Sequence, residues 1–194
     1  MPLEIVNYPH PTLRFPSRPI KRVDKELRMM AAEMIELMYC HEGVGLAANQ
    51  VALPLRMFVL NPTGKQGEGE EMVVINPVIQ RPKGREPDRE GCLSVPGVFG
   101  DVIRAKQIQF SGYDLQGTPL NFTCEGFFAR VLQHETDHLD GTMFFDRMPE
   151  GARKEIDPLL EEFEFEFRSR QAGGTIPSDQ SIIKEQAEWL NRYA

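Results

Sequence analysis

The sequence predicts an α+β fold: a single compact domain with antiparallel or mixed β-sheets around a central helix, followed by C-terminal helices. Three observations predict it. Apolar residues recur at helical spacing ahead of Gly43. The middle of the chain breaks into short strand-like runs punctuated by Asn, Pro and Gly. Helical spacing then returns from Phe127 to Leu139, on a segment carrying two histidines four residues apart. At 194 residues the chain suits one domain that buries its core without disulfide support.

Asp24 reads as an N-cap, and Leu27, Met30, Met34, Leu37 and Met38 line one face of the helix it starts, with Gly43 expected to end it. The methionines on that face read as core packing. Met57–Leu60 and Met72–Ile75 are apolar runs followed by Asn-Pro and read as strands. Gly64 to Gly69 between them reads as a solvated loop. Gln107–Tyr113 alternates as a half-buried strand should, and Asp114 to Gly117 turns it into a hairpin with Leu120–Cys124. Beyond Gly126, Phe127, Phe128, Val131 and Leu132 are expected on the packed side of a helix. A further helix is expected over roughly Ala152 to Arg170, with Ile156, Leu159, Leu160, Phe163 and Phe167 inward. Pro158 should interrupt it unless the helix restarts there with Asp157 as cap. Ala172 to Ser178 reads as a linker and Ser181 to Tyr193 as a last short helix.

Composition excludes several classes. The formal net charge is -7 with no Lys/Arg cluster, whereas a nucleic-acid binder normally carries a basic stripe. No apolar run reaches bilayer-spanning length. Met1 to Val6 lacks both a charged-then-apolar signal and an Arg/Ser-rich transit character, which points to the cytoplasm. Cys40, Cys92 and Cys124 are an odd number without framework spacing. They read as free thiols or ligands, two of them expected to be small buried apolar residues.

The chemistry concentrates in Gln133-His134-Glu135-Thr136-Asp137-His138-Leu139-Asp140-Gly141. On a helix, His134 and His138 project from one face and can grip one divalent metal, with Glu135 placed as a general base. Two histidines do not complete a site, so the third ligand decides the chemistry. A metzincin protease would place a third histidine three residues past Gly141, where this chain has Phe144. Cys92, in Glu90-Gly91-Cys92-Leu93-Ser94, is a candidate, and a Cys/His/His set leaves a coordination position free for catalysis. Spacing alone leaves Cys92 open between ligand and buried thiol. Gly43-Val44-Gly45-Leu46-Ala47-Ala48-Asn49-Gln50 fails as a phosphate loop, because no Lys-Ser/Thr follows. It reads either as backbone packed closely on a ligand, with the Gln50 amide as donor, or as a helix-ending turn.

Together these segments resemble the peptide deformylases. The family's G-x-G-L-A-A-x-Q loop, E-G-C-L-S segment and Q-H-E-x-D-H-L-x-G helix stand intact and in order at Gly43–Gln50, Glu90–Ser94 and Gln133–Gly141. The resemblance covers roughly residues 1 to 148, including Ile5 to Arg14. It implies removal of the formyl group from N-formylmethionine of newly made chains, with release of formate. It implies Cys92, His134 and His138 as metal ligands, with iron(II) (Fe2+) as the usual ion and Zn2+, Ni2+ or Co2+ as substitutes. Glu135 would take a proton from the attacking water and deliver it to the leaving amine. The Gln50 amide and the Leu93 N–H would stabilise the developing oxyanion. Val44 and Gly45 would line the substrate path. Glu90 and Asp137 would either orient ligands or brace the fold by salt bridges.

On this resemblance residues 1–170 form the catalytic domain, and residues 171–194 a linker and short helix appended to it. Partners would be formylmethionyl nascent peptides, with transient ribosome proximity, no direct nucleic-acid binding and no membrane, in a monomer or homodimer. Arg130, one turn before His134, would either reach the rim of the methionine pocket or fold back onto an acid. The chain beyond Pro149 matches no family motif, and its run from Glu161 to Phe167 is acidic on one side. Two other readings are a HExxH endopeptidase, which Phe144 and the intact E-G-C-L-S disfavour, and a silent metal-binding module, which intact Glu135 and Gln50 disfavour.

Overall fold

The computed structural model describes residues 2–194; Met1, the first residue of the N-terminal stretch considered above, lies outside the described residues. Helix α1 (Lys25–Cys40) starts where Asp24 accepts a hydrogen bond from the Leu27 N–H at 3.0 Å. Its end departs from expectation. Glu42 takes the left-handed conformation (φ 56°), while Gly43 donates its N–H to Met38 O at 2.9 Å. A Cβ at Gly43 would crowd Leu93 Cδ1 at 2.8 Å and Met38 O at 3.3 Å.

Seven strands follow: β1 (Gly45–Ala47), β2 (Met57–Leu60), β3 (Met72–Lys83), β4 (Glu86–Cys92), β5 (Val95–Arg104), β6 (Gln107–Tyr113) and β7 (Pro119–Glu125). Five form one antiparallel sheet in the order β1-β2-β3-β6-β7, and β4 and β5 make a separate hairpin. The expected turn from Asp114 to Gly117 joins β6 to β7. Strand β3 does not stop at Ile75 as the Asn-Pro pair suggested. Asn76 turns left-handed (φ 52°) and the register shifts between Ile75 and Val78, so Pro77 sits in a bulge that needs no ladder N–H. The Asn76 amide meanwhile clips the N-terminal segment through both backbone groups of Ile20, at 2.8 and 2.9 Å.

Helix α2 (Gly126–Leu139) lies across the five-stranded sheet and buries Ala129, Leu132 and Leu139 against Phe58, Val74, Ile108 and Phe110. Val131 packs in the same cluster, but Phe127 does not: it is 53% exposed at the helix start. Helix α3 (Glu150–Ala172) is continuous through Pro158, which lies on its exposed side, where water can satisfy the carbonyl freed by the missing N–H. Its buried stripe is Ile156, Leu160 and Phe167, with Phe163 half-buried. Leu159 falls about 100° round the helix from Leu160 and is exposed, contrary to expectation.

Helix α4 (Asp179–Tyr193) packs back onto the N-terminal part of the chain. Tyr193 is buried in the cluster formed with Leu27, Met30 and Met34 of α1, and Gln186 donates to Thr12 Oγ1 at 2.7 Å. Of the thiols expected to be buried, Cys40 is exposed at the end of α1 and Cys124 is half-buried, its ionisation pushed up to about 11 by burial.

Candidate metal centre

Two elements meet at the site. Helix α2 presents His134 and His138 from one face, and the turn joining β4 to β5 presents Cys92. Cys92 Sγ lies 3.2 Å from His138 Nε2, which lies 3.2 Å from His134 Nε2. Bonds of about 2.0–2.3 Å at tetrahedral angles place ligand atoms about 3.4 Å apart, so the three donors fit one divalent ion. Among the described residues no other cluster of His, Cys, Asp or Glu has such spacing.

The electrostatics agree with that fit. Burial pulls His138 down, and the charge on His134 pulls it further. Burial also opposes charge on His134, but its contacts with Cys92 and Glu90 and the nearby Glu135 outweigh it and push His134 up. Burial thus keeps His138 in the neutral form that a metal ligand needs. Burial raises Glu135 to about 7, and its Oε2 is buried with no hydrogen-bond partner in the protein. A carboxylate left this way beside three convergent ligands is suited to accept a proton from a reacting group.

Glu90 and Asp137 anchor the centre. The Glu90 carboxylate accepts from Arg104 Nε and Nη2 at 2.8 Å each, from Arg130 Nη1 at 2.6 Å, and faces His134 Nδ1 at 2.9 Å. Burial would raise Glu90, but the bonds from Arg104 and His134 prevail and hold it well below the usual carboxylate range. An ionised Glu90 fixes the proton of His134 on Nδ1 and leaves the Nε2 lone pair for the ion. Asp137 pairs with Arg104 and Arg147, so Arg104 links the two acids. Glu90 thus both orients a ligand and braces the fold, whereas Asp137 braces it through Arg104 and Arg147; removing one partner of such a buried pair costs about 3–5 kcal/mol. Arg130 folds back onto Glu90 and does not stand at the rim as a free charge. The sequence reading missed Arg104. Its signal is period two along β5, where Val102 and Arg104 are both buried on one face.

The glycine-rich segment packs against this centre. Gln50 Oε1 accepts from the Ala47 N–H at 2.8 Å, which turns Nε2 toward Cys92 Sγ (3.4 Å) and Ser94 Oγ (3.3 Å). Gly45 in β1 runs beside Glu135, so that a Cβ would lie 2.8 Å from Glu135 Cδ. Asn49 donates to the carbonyl of His138. Val44, Gly45, Gln50 and Leu93 all line a cavity of about 510 Å³ that also opens on Cys92, His134 and Glu135. Phe127 and Phe99, each about half exposed, stand at its margin. Phe144, in the slot of a protease's third histidine, is 1% exposed and stacks on the His134 ring at 6.5 Å between centroids.

Comparison with known proteins agrees with this geometry. The model of the polypeptide deformylase family matches residues 2–154. The chain is 54% identical over 193 residues to a peptide deformylase of Rhodopirellula baltica, covering 100% of this chain and 96% of that one. A crystal structure of a variant of Arabidopsis thaliana peptide deformylase 1B superposes with a TM-score of 0.84 at 36% identity, covering 91% of this chain and 95% of that one. A peptide deformylase from Legionella pneumophila superposes at 0.78 and 34% identity, covering 88% and 99%.

Proposed function

The chain belongs to the peptide deformylase family, and from that premise we propose how its own residues divide the work. The enzyme is a metal-dependent hydrolase that removes the formyl group from the N-terminal formylmethionine of newly made polypeptides. One observation carries the assignment of roles: a buried Glu135 oxygen without a partner lies beside the convergent Cys92, His134 and His138 donors.

Cys92, His134 and His138 would hold the ion. One thiolate with two neutral imidazoles is a borderline-soft donor set that suits Fe2+ and also accepts Zn2+, Ni2+ or Co2+. When bound, the ion supplies Lewis acidity, which ionises water near neutral pH and polarises the formyl carbonyl. Glu135 receives the proton of the attacking water on its free oxygen and passes it to the departing amine nitrogen. As the formyl carbon becomes tetrahedral, Gln50 Nε2 and the Leu93 N–H donate to its developing oxyanion. Gly45 offers backbone hydrogen bonds to an extended peptide, and Val44 forms part of the same wall.

The natural partners are formylated nascent peptides. We place the enzyme in the cytoplasm, transiently near the ribosome and without direct nucleic-acid contact. The acidic balance supports that reading, and no helix among the described residues is long and apolar enough to cross a membrane. The test is formate release from a formyl-Met peptide by anaerobically prepared Fe2+ protein, with an unformylated peptide as control for proteolysis. The same protein carrying Glu135→Gln should keep its metal and lose nearly all turnover. Retained turnover in that variant removes Glu135 as the base.

A further inference from the structure

Arg130 is buried one turn before His134 on α2 and borders the cavity, yet it directs its charge away from the reacting centre. Its Nη1 donates to Glu90 Oε1 at 2.6 Å and to Val102 O at 3.0 Å, and its Nη2 donates to Glu86 O at 2.7 Å. Glu86 begins β4 and Val102 lies near the end of β5, so one guanidinium joins both strands of the hairpin to Glu90.

A carboxylate presents about four lone-pair directions. On Glu90, Oε1 receives Arg104 Nε and Arg130 Nη1, while Oε2 receives Arg104 Nη2 and faces His134 Nδ1. Every direction is taken, and the carboxylate has one orientation. The two arginines also cross the same gap in opposite senses. Arg104 reaches from the hairpin to Asp137 on α2, and Arg130 reaches from α2 to the hairpin. The hairpin carries Cys92 and the helix carries both histidines.

We propose that Arg130 is a positioning residue that keeps the metal in place: it completes the donor set on Glu90, and through Glu90 fixes the His134 ring and its distance from Cys92. The proposal rests on Cys92, His134 and His138 as the ligand set. Because the guanidinium is already committed, Arg130 offers the substrate only its aliphatic stem. Its loss should therefore change metal release and leave KM nearly unchanged.

The experiment loads the full chain, Arg130→Met and Arg130→Lys with one equivalent of Ni2+ and follows transfer to a chromogenic chelator, well below each protein's Tm. Methionine preserves much of the volume and removes the donors. Lysine keeps a charge near Glu90 but cannot span Glu90 and both carbonyls. Release should be about 10-fold or more faster from Arg130→Met, as expected when a group supporting a ligand is lost. Arg130→Lys should fall between that variant and the parent, and if Arg130→Met does not fold, Arg130→Lys alone carries the test. Release at the parental rate from either folded variant overturns the proposal, whatever happens to Tm. So does a raised KM on formyl-Met peptide with metal release unchanged, since that marks a substrate contact. A parent protein that takes up no Ni2+ overturns the ligand assignment, and this proposal with it.

Discussion

Replacing Gly45 with alanine adds a single methyl group to the wall facing Glu135. The new Cβ would lie 2.8 Å from Glu135 Cδ and 3.0 Å from its Cγ. Carbon atoms pack comfortably at about 3.6 Å, so one side must retreat by about 0.8 Å. β1 is hydrogen-bonded to β2 with Gly45 opposite Leu60, and its three residues are buried. Glu135 has an oxygen with no protein partner, so it is the softer side and moves first. Misplacing a reacting group by about 1 Å costs on the order of 100-fold in rate, or about 2.7 kcal/mol of barrier. Gly45 does not have positive φ, so alanine suffers no backbone strain there, and overpacking should cost about 1–3 kcal/mol of stability. The assay is steady-state formate release from a formyl-Met peptide, with bound Ni2+ counted in parallel. Expected are a kcat reduced about 100-fold, little change in KM and full metal content, since Gly45 is not among the ligands. A folded, metal-loaded variant with kcat within about threefold of the parent would refute the idea that this glycine sets the position of the base.

Cys92→Ser replaces a soft thiolate with a hydroxyl that ionises poorly, so metal retained after chelator treatment should fall at least about 10-fold. Unchanged metal content excludes Cys92 as a ligand. Gln50→Ala removes one oxyanion donor and should lower kcat by about 100- to 1,000-fold with metal content intact; a loss confined to KM would make Gln50 a binding residue only. His10 tests the link between burial and acid stability. Burial lowers it from 6.5 to about 4, so it folds in the neutral form, and the unfolded chain binds a proton that the native protein rejects. Its contribution is present above pH 6.5 and is lost as pH falls from 6.5 to 4, amounting to about 3 kcal/mol. His10→Asn can keep the acceptor that His10 Nδ1 offers to the Thr12 N–H while removing the titration. Parent and variant should therefore diverge by that amount between pH 7 and pH 4 in urea unfolding, and parallel curves would exclude His10.

The parts legible in the sequence are those written in local periodicity. Four-residue spacing places His134 and His138 on one helix face, and that face meets the site. The alternation from Gln107 to Tyr113 and the Asp114–Gly117 turn predict the β6–β7 hairpin, which the structure pairs from Tyr113 opposite Pro119 to Gln107 opposite Glu125. The β4–β5 hairpin, which delivers Cys92, carries only a short period-two signal, at Val102 and Arg104. Its inward positions mix Glu90 and Arg104 with Val95, Val98 and Val102, while Phe99 and Ile103 are 52% and 39% exposed. The usual apolar-in, polar-out pattern is broken because this hairpin turns charges toward the charged face of α2. Cys92 itself is only half-buried, so neither pattern nor burial marks it as a ligand; its partners come together only in the fold.

That broken pattern explains why a small enzyme keeps so many charges in its interior. Apolar replacements of similar volume often leave a protein equally stable, so stability alone does not call for Glu90, Arg104, Arg130 and Asp137. Directionality does. Hydrophobic contacts let a helix and a hairpin slide past one another, whereas forked bonds between guanidinium and carboxylate fix both distance and angle. The site requires that fixity, because its ligands come from two elements outside any common sheet. The remaining buried acid is treated in the opposite way. Glu90 and Asp137 are held by arginines, while Glu135 keeps an oxygen with no partner and a raised proton affinity. Buried polar atoms normally find partners, so an unpaired carboxylate oxygen facing three convergent ligands is placed to take up a proton. The same network that immobilises two carboxylates leaves the third free to carry the proton.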